Sequence, residues 1–246
     1  MENLEILRIT GAYLLTEINL PSKLKILDLS NCNRLTNSII QELNRKYKTL
    51  EELKLSYCYK ISHEVKLKTH VKRLFLEETR IHENFYHVQN LTALSLKNCV
   101  LIDSLCEKYA NLEYLDLENI TTIKNINVGN KLKHLNIQRC YNLVGWIKEN
   151  KSKLTNLEYL NISYLEIKDM DFLVELKNLK EINLSWCDNV TDNLLIELIK
   201  NTNIEKISVF GCFNLTLESV KISYKFKDKV LVLGNHAETK FLIQNI

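Results

Sequence analysis

The stretch LKEINLSWCDNVTDNLLIEL, from Leu179 to Leu198, contains the pattern that decides the fold. Its first part, L-x-x-I-x-L, alternates apolar and other residues, which is typical of a short strand with one buried face. Cys187 follows this strand, and Thr191 then precedes apolar residues at helical spacing, as an N-cap residue would. The stretch therefore predicts a strand, a turn and a helix in close succession.

The same pattern recurs along the whole chain. Ten repeats that read L-x-x-L-x-L-x-x-C begin at intervals of 20, 26, 21, 20, 21, 20, 25, 22 and 25 residues. We number the positions from the first residue of each repeat, so that the cysteine is position 9. The repeats begin at Leu4, Leu24, Leu50, Val71, Leu91, Leu112, Leu132, Leu157, Leu179 and Ile204. Self-similarity at such a period is the signature of a solenoid.

We therefore predict an α/β solenoid of about ten repeats, with a parallel sheet on a concave face and helices on a convex face. Helices are about 10 Å wide and strands lie about 4.8 Å apart, so the stack must curve. Residues 1–216 would form the solenoid. Residues 217–246 would add a strand near Val230–Leu233 and a capping helix from about Ala237, within the same domain. The short repeats from Val71 to Lys131 are expected to carry one helical turn or an irregular segment on the outer side.

Cysteine at position 9 is interchangeable with residues of quite different chemistry. The position is Ala12 in the first repeat and Thr79, Ile120 and Leu165 in three others. A metal ligand or a nucleophile could not be replaced in this way, whereas a small buried side chain with a weak S–H donor could. Cys106 lies outside the register and is expected in a helix core. We predict a structural core role for the six cysteines at position 9, which are Cys32, Cys58, Cys99, Cys140, Cys187 and Cys212.

Two stretches resemble a known family. LSWCDNVTDNLLIEL, around Cys187, and LSNCNRLTNSIIQEL, around Cys32, are similar to the cysteine-containing subtype of leucine-rich repeat, with a complete C-x-x-[LIV]-T-[DN] tail. This subtype occurs in F-box/LRR substrate receptors and in the LRR subunit of a yeast nucleotide-excision-repair complex. The resemblance implies a leucine-rich repeat solenoid that binds proteins, as a substrate-recognition subunit of a ubiquitin-ligase or DNA-repair type complex. No F-box is visible before the first repeat, so another chain would have to supply the adaptor of a ligase.

The composition limits the cellular setting. The chain has 246 residues and a net charge of +3, which is too small to indicate nucleic acid or an acidic membrane by itself. It contains neither an apolar run of transmembrane length nor an export signal. Seven cysteines without an export signal indicate free thiols in a reducing compartment. We expect a cytoplasmic or nuclear protein that does not contact membranes.

No motif of catalysis or cofactor binding is present. The chain lacks a phosphate-binding glycine-rich loop, a nucleophile elbow, an H-E-x-x-H and a C-x-x-C motif. Asp116 and Glu118 share a strand face, but on an open sheet they favour an acidic patch for a basic partner over acid–base catalysis. Four histidines near Cys58 have spacing too loose for zinc and are expected to be solvated: His63, His70, His82 and His87. We predict a protein that is not an enzyme and needs no cofactor.

The predicted concave face carries a group of residues suited to binding a protein. Strand alternation directs positions 3, 5 and 7 to this face and places position 8 at its rim. Exposed tyrosine, tryptophan and arginine are typical of interface hot spots. The alternative is an ordinary amphipathic surface. The candidate residues are Tyr114, His134, Arg139, Tyr159, Tyr164 and Trp186, beside a polar ladder of Asn136, Asn161 and Asn183.

A second hypothesis concerns two basic stretches, NRKYKT (Asn44–Thr49) and KISYKFKDK (Lys221–Lys229). Lysines beside aromatic rings can bind RNA through phosphate pairing and base stacking, which would suit an RNA- or ribosome-associated factor. The alternative is a solvated amphipathic edge strand protected by lysines. The candidate contacts are Arg45, Lys46, Lys48, Lys221, Lys225 and Lys227.

The first repeat has no visible cap. Leu4, Ile6 and Leu7 would therefore be exposed at the sheet edge. Two explanations remain open, namely a partner that covers this edge and descent from a longer protein.

Overall fold

The structure is a computed structural model that describes residues 3–62, 64, 66–68, 70–82 and 90–237, without the side chains of 106–108. The chain divides into two compact units, Met1–Lys131 (unit one) and Leu132–Ile246 (unit two).

Unit one is built on short parallel strands. Each strand of its main sheet covers repeat positions 3 to 5, and the register aligns position 4 of neighbouring repeats, as in the pairing of Leu27 with Leu53. These leucines are completely buried because position 4 faces the core. The strands of unit one are β1 (Ile6–Arg8), β2 (Ile26–Asp28), β3 (Glu52–Lys54), β4 (Arg73–Phe75), β5 (Ala93–Ser95), β6 (Ser104–Tyr109), β7 (Tyr114–Asp116) and β8 (Asn125–Val128). All except β6 and β8 lie in the main sheet, in chain order.

The segments that connect the main strands differ in structure. The second repeat continues into helix α1 (Ser38–Lys46), but the repeats beginning at Leu91 and Leu112 continue into β6 and β8, which form a separate parallel pair. The expectation of a helical turn or irregular segment was wrong for these two repeats. Repeats of this length leave too little chain for a helix, and an extended segment can still bury apolar side chains such as Leu105 and Ile126. Cys106 accordingly lies in a strand, not in a helix.

Unit two has the same organisation with more helix. Its strands are β9 (His134–Asn136), β10 (Tyr159–Asn161), β11 (Glu181–Asn183), β12 (Lys206–Ser208) and β13 (Leu231–Leu233), which pair in parallel and in chain order. Its helices are α2 (Val144–Asn150), α3 (Asp192–Asn201) and α4 (Leu217–Lys225), with 3₁₀ turns at Tyr141–Leu143, Lys151–Lys153 and Asp171–Glu175. The strand β13 lies in the region expected to form the last strand. The predicted capping helix falls on residues 238–246, outside the described residues.

Two helices of unit two, α3 and α4, follow a threonine whose side chain accepts a capping hydrogen bond. Thr191 is the N-cap of α3, and its side chain accepts a hydrogen bond from the backbone N–H of Leu194 at 3.4 Å. In the second repeat Thr36 occupies the position that corresponds to Thr191, but the residue before α1 is Asn37, whose side chain makes no capping hydrogen bond. The Asn37 side chain is used elsewhere, because its amide bonds the backbone N–H and the hydroxyl of Ser62.

The cysteines of position 9 connect neighbouring repeats. In most of them the thiol donates to the carbonyl oxygen at position 6 of the preceding repeat, as from Cys58 to Leu29 and from Cys187 to Ile162, both at 3.2 Å. Burial raises the pKa of both thiols to about 12. All six side chains are completely buried and none forms a disulfide.

Position 8 has a left-handed backbone in every repeat. The φ angles lie between 55° and 70°, a range that glycine and asparagine adopt most easily. This turn directs position 9 back into the core after the strand. The residues are Gly11, Asn31, Tyr57, Glu78, Asn98, Asn119, Arg139, Tyr164, Trp186 and Gly211.

Candidate protein-binding site

Three consecutive position-8 side chains of unit two form a stacked row. The guanidinium carbon of Arg139 lies 4.3 Å from the ring centroid of Tyr164. The rings of Tyr164 and Trp186 are stacked, with centroids 5.8 Å apart and planes 12° apart. We call Arg139, Tyr164 and Trp186 the rim row. The row follows from the fold, since the left-handed turn presents one side chain per repeat at the spacing of the strands.

Glycine in the next repeat makes room for this row. A Cβ atom at Gly211 would lie 2.5 Å from the indole ring of Trp186, so this ring rests directly on the glycine backbone. Trp186 also makes an edge-to-face contact with Phe213, with centroids 6.1 Å apart. The exposed fractions are 48% for Trp186, 52% for Phe210 and 66% for Phe213. The end of the rim row is therefore surrounded by exposed aromatic surface.

The open face of unit two, formed by positions 3, 5 and 7, carries a second aromatic pair. The rings of His134 and Tyr159 are stacked with centroids 4.1 Å apart and planes 3° apart. Desolvation lowers the pKa of His134 to about 4, against the opposing effect of the Glu181 carboxylate. Glu181 itself forms an ion pair with Lys206. Near neutral pH this face thus presents a neutral imidazole and a compensated ion pair.

The predicted asparagine ladder is bonded within the repeats. Each side-chain oxygen accepts from the backbone N–H two residues later: Asn136 from Gln138, Asn161 from Ser163 and Asn183 from Ser185, at 3.0–3.2 Å. Asp28 and Asp116 make the same bond in unit one. Asn136 and Asn161 are only 6% and 4% exposed. In these five repeats the position-5 side chain therefore closes the turn after the strand and offers a partner little surface.

Tyr114 belongs to unit one, whereas the other candidate residues belong to unit two. It is part of β7, and its ring centroid is 6.3 Å from that of Phe75. The structure therefore brings together Arg139, Tyr164 and Trp186 as one group and His134 and Tyr159 as another.

The candidate nucleic-acid contacts are divided between the two units. Arg45 and Lys46 occupy the last turn of α1, where cations complement the helix dipole, and Lys46 pairs with Glu42 at 3.2 Å. In unit two, Lys221 pairs with Glu218 at 2.7 Å, and the ammonium group of Lys225 lies 5.9 Å from the ring of Phe226. The stretch considered as an edge strand is helical up to Lys225. Lys48 and Lys227 follow α1 and α4 in turns.

The carboxylate pair considered for catalysis is engaged in local bonds. Asp116 accepts from the backbone N–H of Glu118 at 3.0 Å, and Glu118 pairs with Lys97 at 2.8 Å. In the part of the chain that the structure describes, no group of histidine, cysteine, aspartate and glutamate side chains could hold a metal ion. Of the four clustered histidines, His63 and His87 lie outside that part.

The apolar residues of the first repeat are less buried than their equivalents in the second repeat. Leu4, Leu7 and Ile9 are partly exposed, whereas the equivalent residues of the second repeat are completely buried. The three side chains line a cleft of about 470 Å³ together with Ile18, Asn19, Leu20, Pro21 and Ser22. This cleft corresponds to the edge that the sequence predicts to be uncapped.

The candidate residues chosen from sequence omit Phe213, Phe210 and Gly211. A signal was present, because glycine or asparagine fills position 8 in five repeats, a composition typical of a left-handed turn. Trp186 departs from this composition, and the next repeat has Gly211 at the same position. Together these two residues would have indicated an aromatic ring lying over a glycine.

Comparison with known proteins identifies the fold. No family model matches the chain. Rad7, in the crystal structure of the yeast complex of Rad7 and Elc1, is similar over 89% of this chain and 76% of that one, with 15% identity and a TM-score of 0.55. Human 5T4, a trophoblast glycoprotein, is similar over 95% of this chain and 87% of that one, with 15% identity and a TM-score of 0.48. No helix among the described residues combines the length and apolarity needed to cross a bilayer. The repeat pattern, the parallel strands in chain order and the likeness to the Rad7 structure together show that the chain has the leucine-rich-repeat fold.

Proposed function

We propose that the protein is a non-enzymatic scaffold that binds a protein partner through the rim row and the adjacent open face of unit two. The residues we assign to the contact are Arg139, Tyr164 and Trp186 in the rim row, and His134 and Tyr159 on the open face. Asn136, Asn161 and Asn183 are left out of this assignment because their side-chain oxygens are used within the repeats.

The observation that carries the proposal is a stacked row of three bulky residues at a left-handed position. A non-glycine residue in such a conformation costs on the order of 1–3 kcal/mol. Other repeats fill the same position with glycine or asparagine, so the fold does not require Tyr164 or Trp186 there. Stacking of the rings offsets part of this cost, at about 0.5–1.5 kcal/mol per aromatic pair. Binding of a partner gives these exposed side chains a role that the fold alone does not.

The finer form of the proposal is an assembly subunit, as the sequence resemblance implies. It would recognise a substrate within a ubiquitin-ligase or DNA-repair type complex, in the cytoplasm or nucleus. The fold shared with Rad7, which was crystallised with Elc1, supports a role within a complex. The open cleft at Leu4, Leu7 and Ile9 would accept a second subunit, since core leucines are otherwise buried.

The test is affinity capture of the tagged protein from the cells that express it, with washes at low and high salt. The wild type is compared with Trp186→Gly, which removes the ring and also relieves the left-handed backbone. Tyr57→Gly is the matched control, because Tyr57 is an aromatic residue at the same repeat position in unit one, with a φ of 63°. Circular dichroism verifies that both variants are folded.

We expect a defined set of proteins that survives high salt, is lost from Trp186→Gly and is retained by Tyr57→Gly. Retention of the same set by Trp186→Gly would contradict the proposal. If RNA or ribosomal proteins dominate at low salt and vanish at high salt, the basic stretches around Lys46 and Lys221 become the binding surface instead.

A further inference from the structure

The loops that follow the rim row carry an unusual charge. The segment from Tyr164 to Asp171 (YLEIKDMD) contains three carboxylates and one lysine, and the segment from Trp186 to Asp192 (WCDNVTD) contains two carboxylates and no basic residue. Each segment therefore has a net charge of −2, in a chain whose total is +3. The corresponding segments after Arg139 and Gly211, CYNLV and CFNLT, are uncharged. The acidic loops thus begin at the two aromatic residues of the rim row.

Two of these carboxylates lie close in sequence to the aromatic residues of the row. Glu166 and Asp188 follow Tyr164 and Trp186 by two residues, and both side chains are exposed. None of the ion pairs between described residues involves either of them. The positive charge of Arg139 is held over the face of Tyr164. The aromatic residues of the rim row are therefore followed by two exposed carboxylates that form no ion pair among the described residues.

The rings themselves are arranged for side-chain packing and not for stacking by bases. Tyr164 lies between Arg139 and Trp186, and Trp186 lies between Tyr164 and the backbone of Gly211. Single-stranded nucleic acids bind aromatic platforms through free ring faces and bind basic grooves through phosphates. Here the faces of the Tyr164 and Trp186 rings are covered and the carboxylates of the loops repel phosphate, while ring edges and the exposed Phe213 remain available.

From these observations we propose that the occupant of the rim row is a polypeptide segment in which an apolar or aromatic anchor is flanked by lysine or arginine. The anchor packs against Trp186 and Phe213, and the basic residues pair with Glu166 and Asp188. The inference rests on the proposed function, because it names the chemistry of the partner at the same site. Charge complementarity at the border of an apolar contact sets the choice of partner more than the affinity.

The test uses a displayed library of random dodecapeptides, selected on the full-length protein and sequenced. We expect enriched peptides that combine a large apolar residue with net positive charge. For a synthetic peptide of the enriched class, Trp186→Gly should weaken binding at least tenfold. Charge reversal in Glu166→Lys/Asp188→Lys should weaken the same peptide to a similar degree and favour acidic peptides when the selection is repeated.

Two controls isolate the effect. Glu17→Lys/Glu64→Lys reverses two exposed carboxylates of unit one and should leave peptide binding unchanged. Tyr57→Gly should also leave it unchanged. The proposal is overturned by an absence of enriched peptides, by enrichment of acidic or neutral ones, or by binding that is indifferent to Trp186→Gly or to the charge reversal. Binding of an oligouridine that depends on Trp186 would overturn it in favour of RNA.

The outcomes also separate this inference from the proposed function. If Trp186→Gly loses the cellular partner but the library shows no preference for basic peptides, the scaffold role stands and the partner chemistry is wrong. If Trp186→Gly retains the cellular partner, both proposals fail.

Discussion

At repeat position 8 the backbone and the side chain have different requirements. The backbone turns left-handed in every repeat, which glycine accepts without strain. The side chain at this position projects beside the sheet, where a large residue can stack on its neighbour, as Tyr164 stacks on Trp186. Position 8 therefore only closes the turn in some repeats, and in others it also adds a large side chain to the surface.

Glycine at this corner should be hardest to replace where a ring lies over it. Gly211 and Gly11 have φ angles of 69° and 70°. A Cβ atom added at Gly211 would lie 2.5 Å from the Trp186 ring, whereas a Cβ atom added at Gly11 would lie 3.9 Å from its nearest neighbour, the hydroxyl oxygen of Tyr13. We expect Gly11→Ala to cost about 1–2 kcal/mol from the left-handed backbone alone. Gly211→Ala should lower the free energy of unfolding further, as measured by urea titration.

A double variant separates the two contributions. In a Trp186→Gly background the Gly211→Ala change loses the steric contact with the ring, so its cost should fall to that of Gly11→Ala. Equal costs of Gly211→Ala in both backgrounds would show that the ring does not rest on the glycine.

The cysteines of position 9 should be unreactive while the protein is folded. Cys58 and Cys187 are completely buried, and their thiol pKa of about 12 leaves almost no thiolate at pH 8. In a Cys106→Ser variant we expect no alkylation by iodoacetamide at pH 8 in the native state and six alkylated sites after unfolding in guanidinium, counted by mass spectrometry. This substitution restricts the signal to the repeat cysteines, and rapid native labelling of several of them would contradict their structural assignment.

At the scale of elements, adjacent strands in register bring side chains of successive repeats together. β9 and β10 pair so that His134 lies opposite Tyr159, which produces their stacked contact. The same register aligns the buried residues of position 4, Leu135 and Leu160. The stacked pair on the surface and the aligned leucines in the core therefore both result from the pairing of β9 with β10.

This pairing makes stability depend on pH. The pKa of His134 is about 4 in the folded state, below its ordinary value of 6.5, so the folded state binds fewer protons between these values. The stabilisation is complete above about pH 6.5 and is lost as the pH falls towards 4. Urea unfolding at pH 7 and pH 5 should show a larger loss for the wild type than for His134→Gln.

His70→Gln is the control for this measurement, since His70 is an exposed histidine of unit one. It should lose as much stability as the wild type between the two pH values. An identical loss in His134→Gln would mean that His134 is not desolvated by the stack.

The elements also show where sequence patterns are sufficient. The strands could be predicted because two-residue alternation repeats ten times and a buried leucine at position 4 has no alternative face. The pair β6 and β8 could not, because a helical turn and an extended segment bury isolated apolar residues such as Ile126 equally well. The start of α1 could not be chosen between Thr36 and Asn37 because both residue types are common N-caps, and only the structure shows that the Asn37 side chain bonds Ser62 and not the helix.

At the scale of the molecule, the leucine-rich-repeat fold follows from the period, and the site does not. The period determines which positions face the core, and this prediction is confirmed by the parallel sheet arrangement. The candidate contacts depend on the bonding partners of each side chain, which the period of the repeat does not predict. The asparagine at position 5 looks like a free polar ladder in the sequence, and its bond to the following backbone appears only in three dimensions, as at Asn161. The binding role of the rim row stays a prediction.

Repeat architecture also predicts local loss of structure. Each repeat contacts mainly its neighbours, so damage should spread over adjacent repeats and not through the whole chain. Leu94 is completely buried in β5, and Leu94→Ala should cost about 2–5 kcal/mol. Hydrogen exchange measured by mass spectrometry should show faster exchange in residues 71–131 and little change in β10, β11 and β12. A uniform increase over the entire chain would instead indicate a single cooperative unit.

The left-handed corner has a consequence for how such a protein can change over generations. Glycine or asparagine fills position 8 in five repeats and larger residues fill it in the other five, so a corner with no ring lying over it is a site where a single substitution can add or remove a large side chain while the strand and core remain as they are. Position-8 residues of neighbouring repeats are about 4.8 Å apart, so such substitutions change which aromatic and charged side chains are displayed at a constant spacing. The choice of binding partner can then diverge one repeat at a time, starting from repeats that have glycine at position 8.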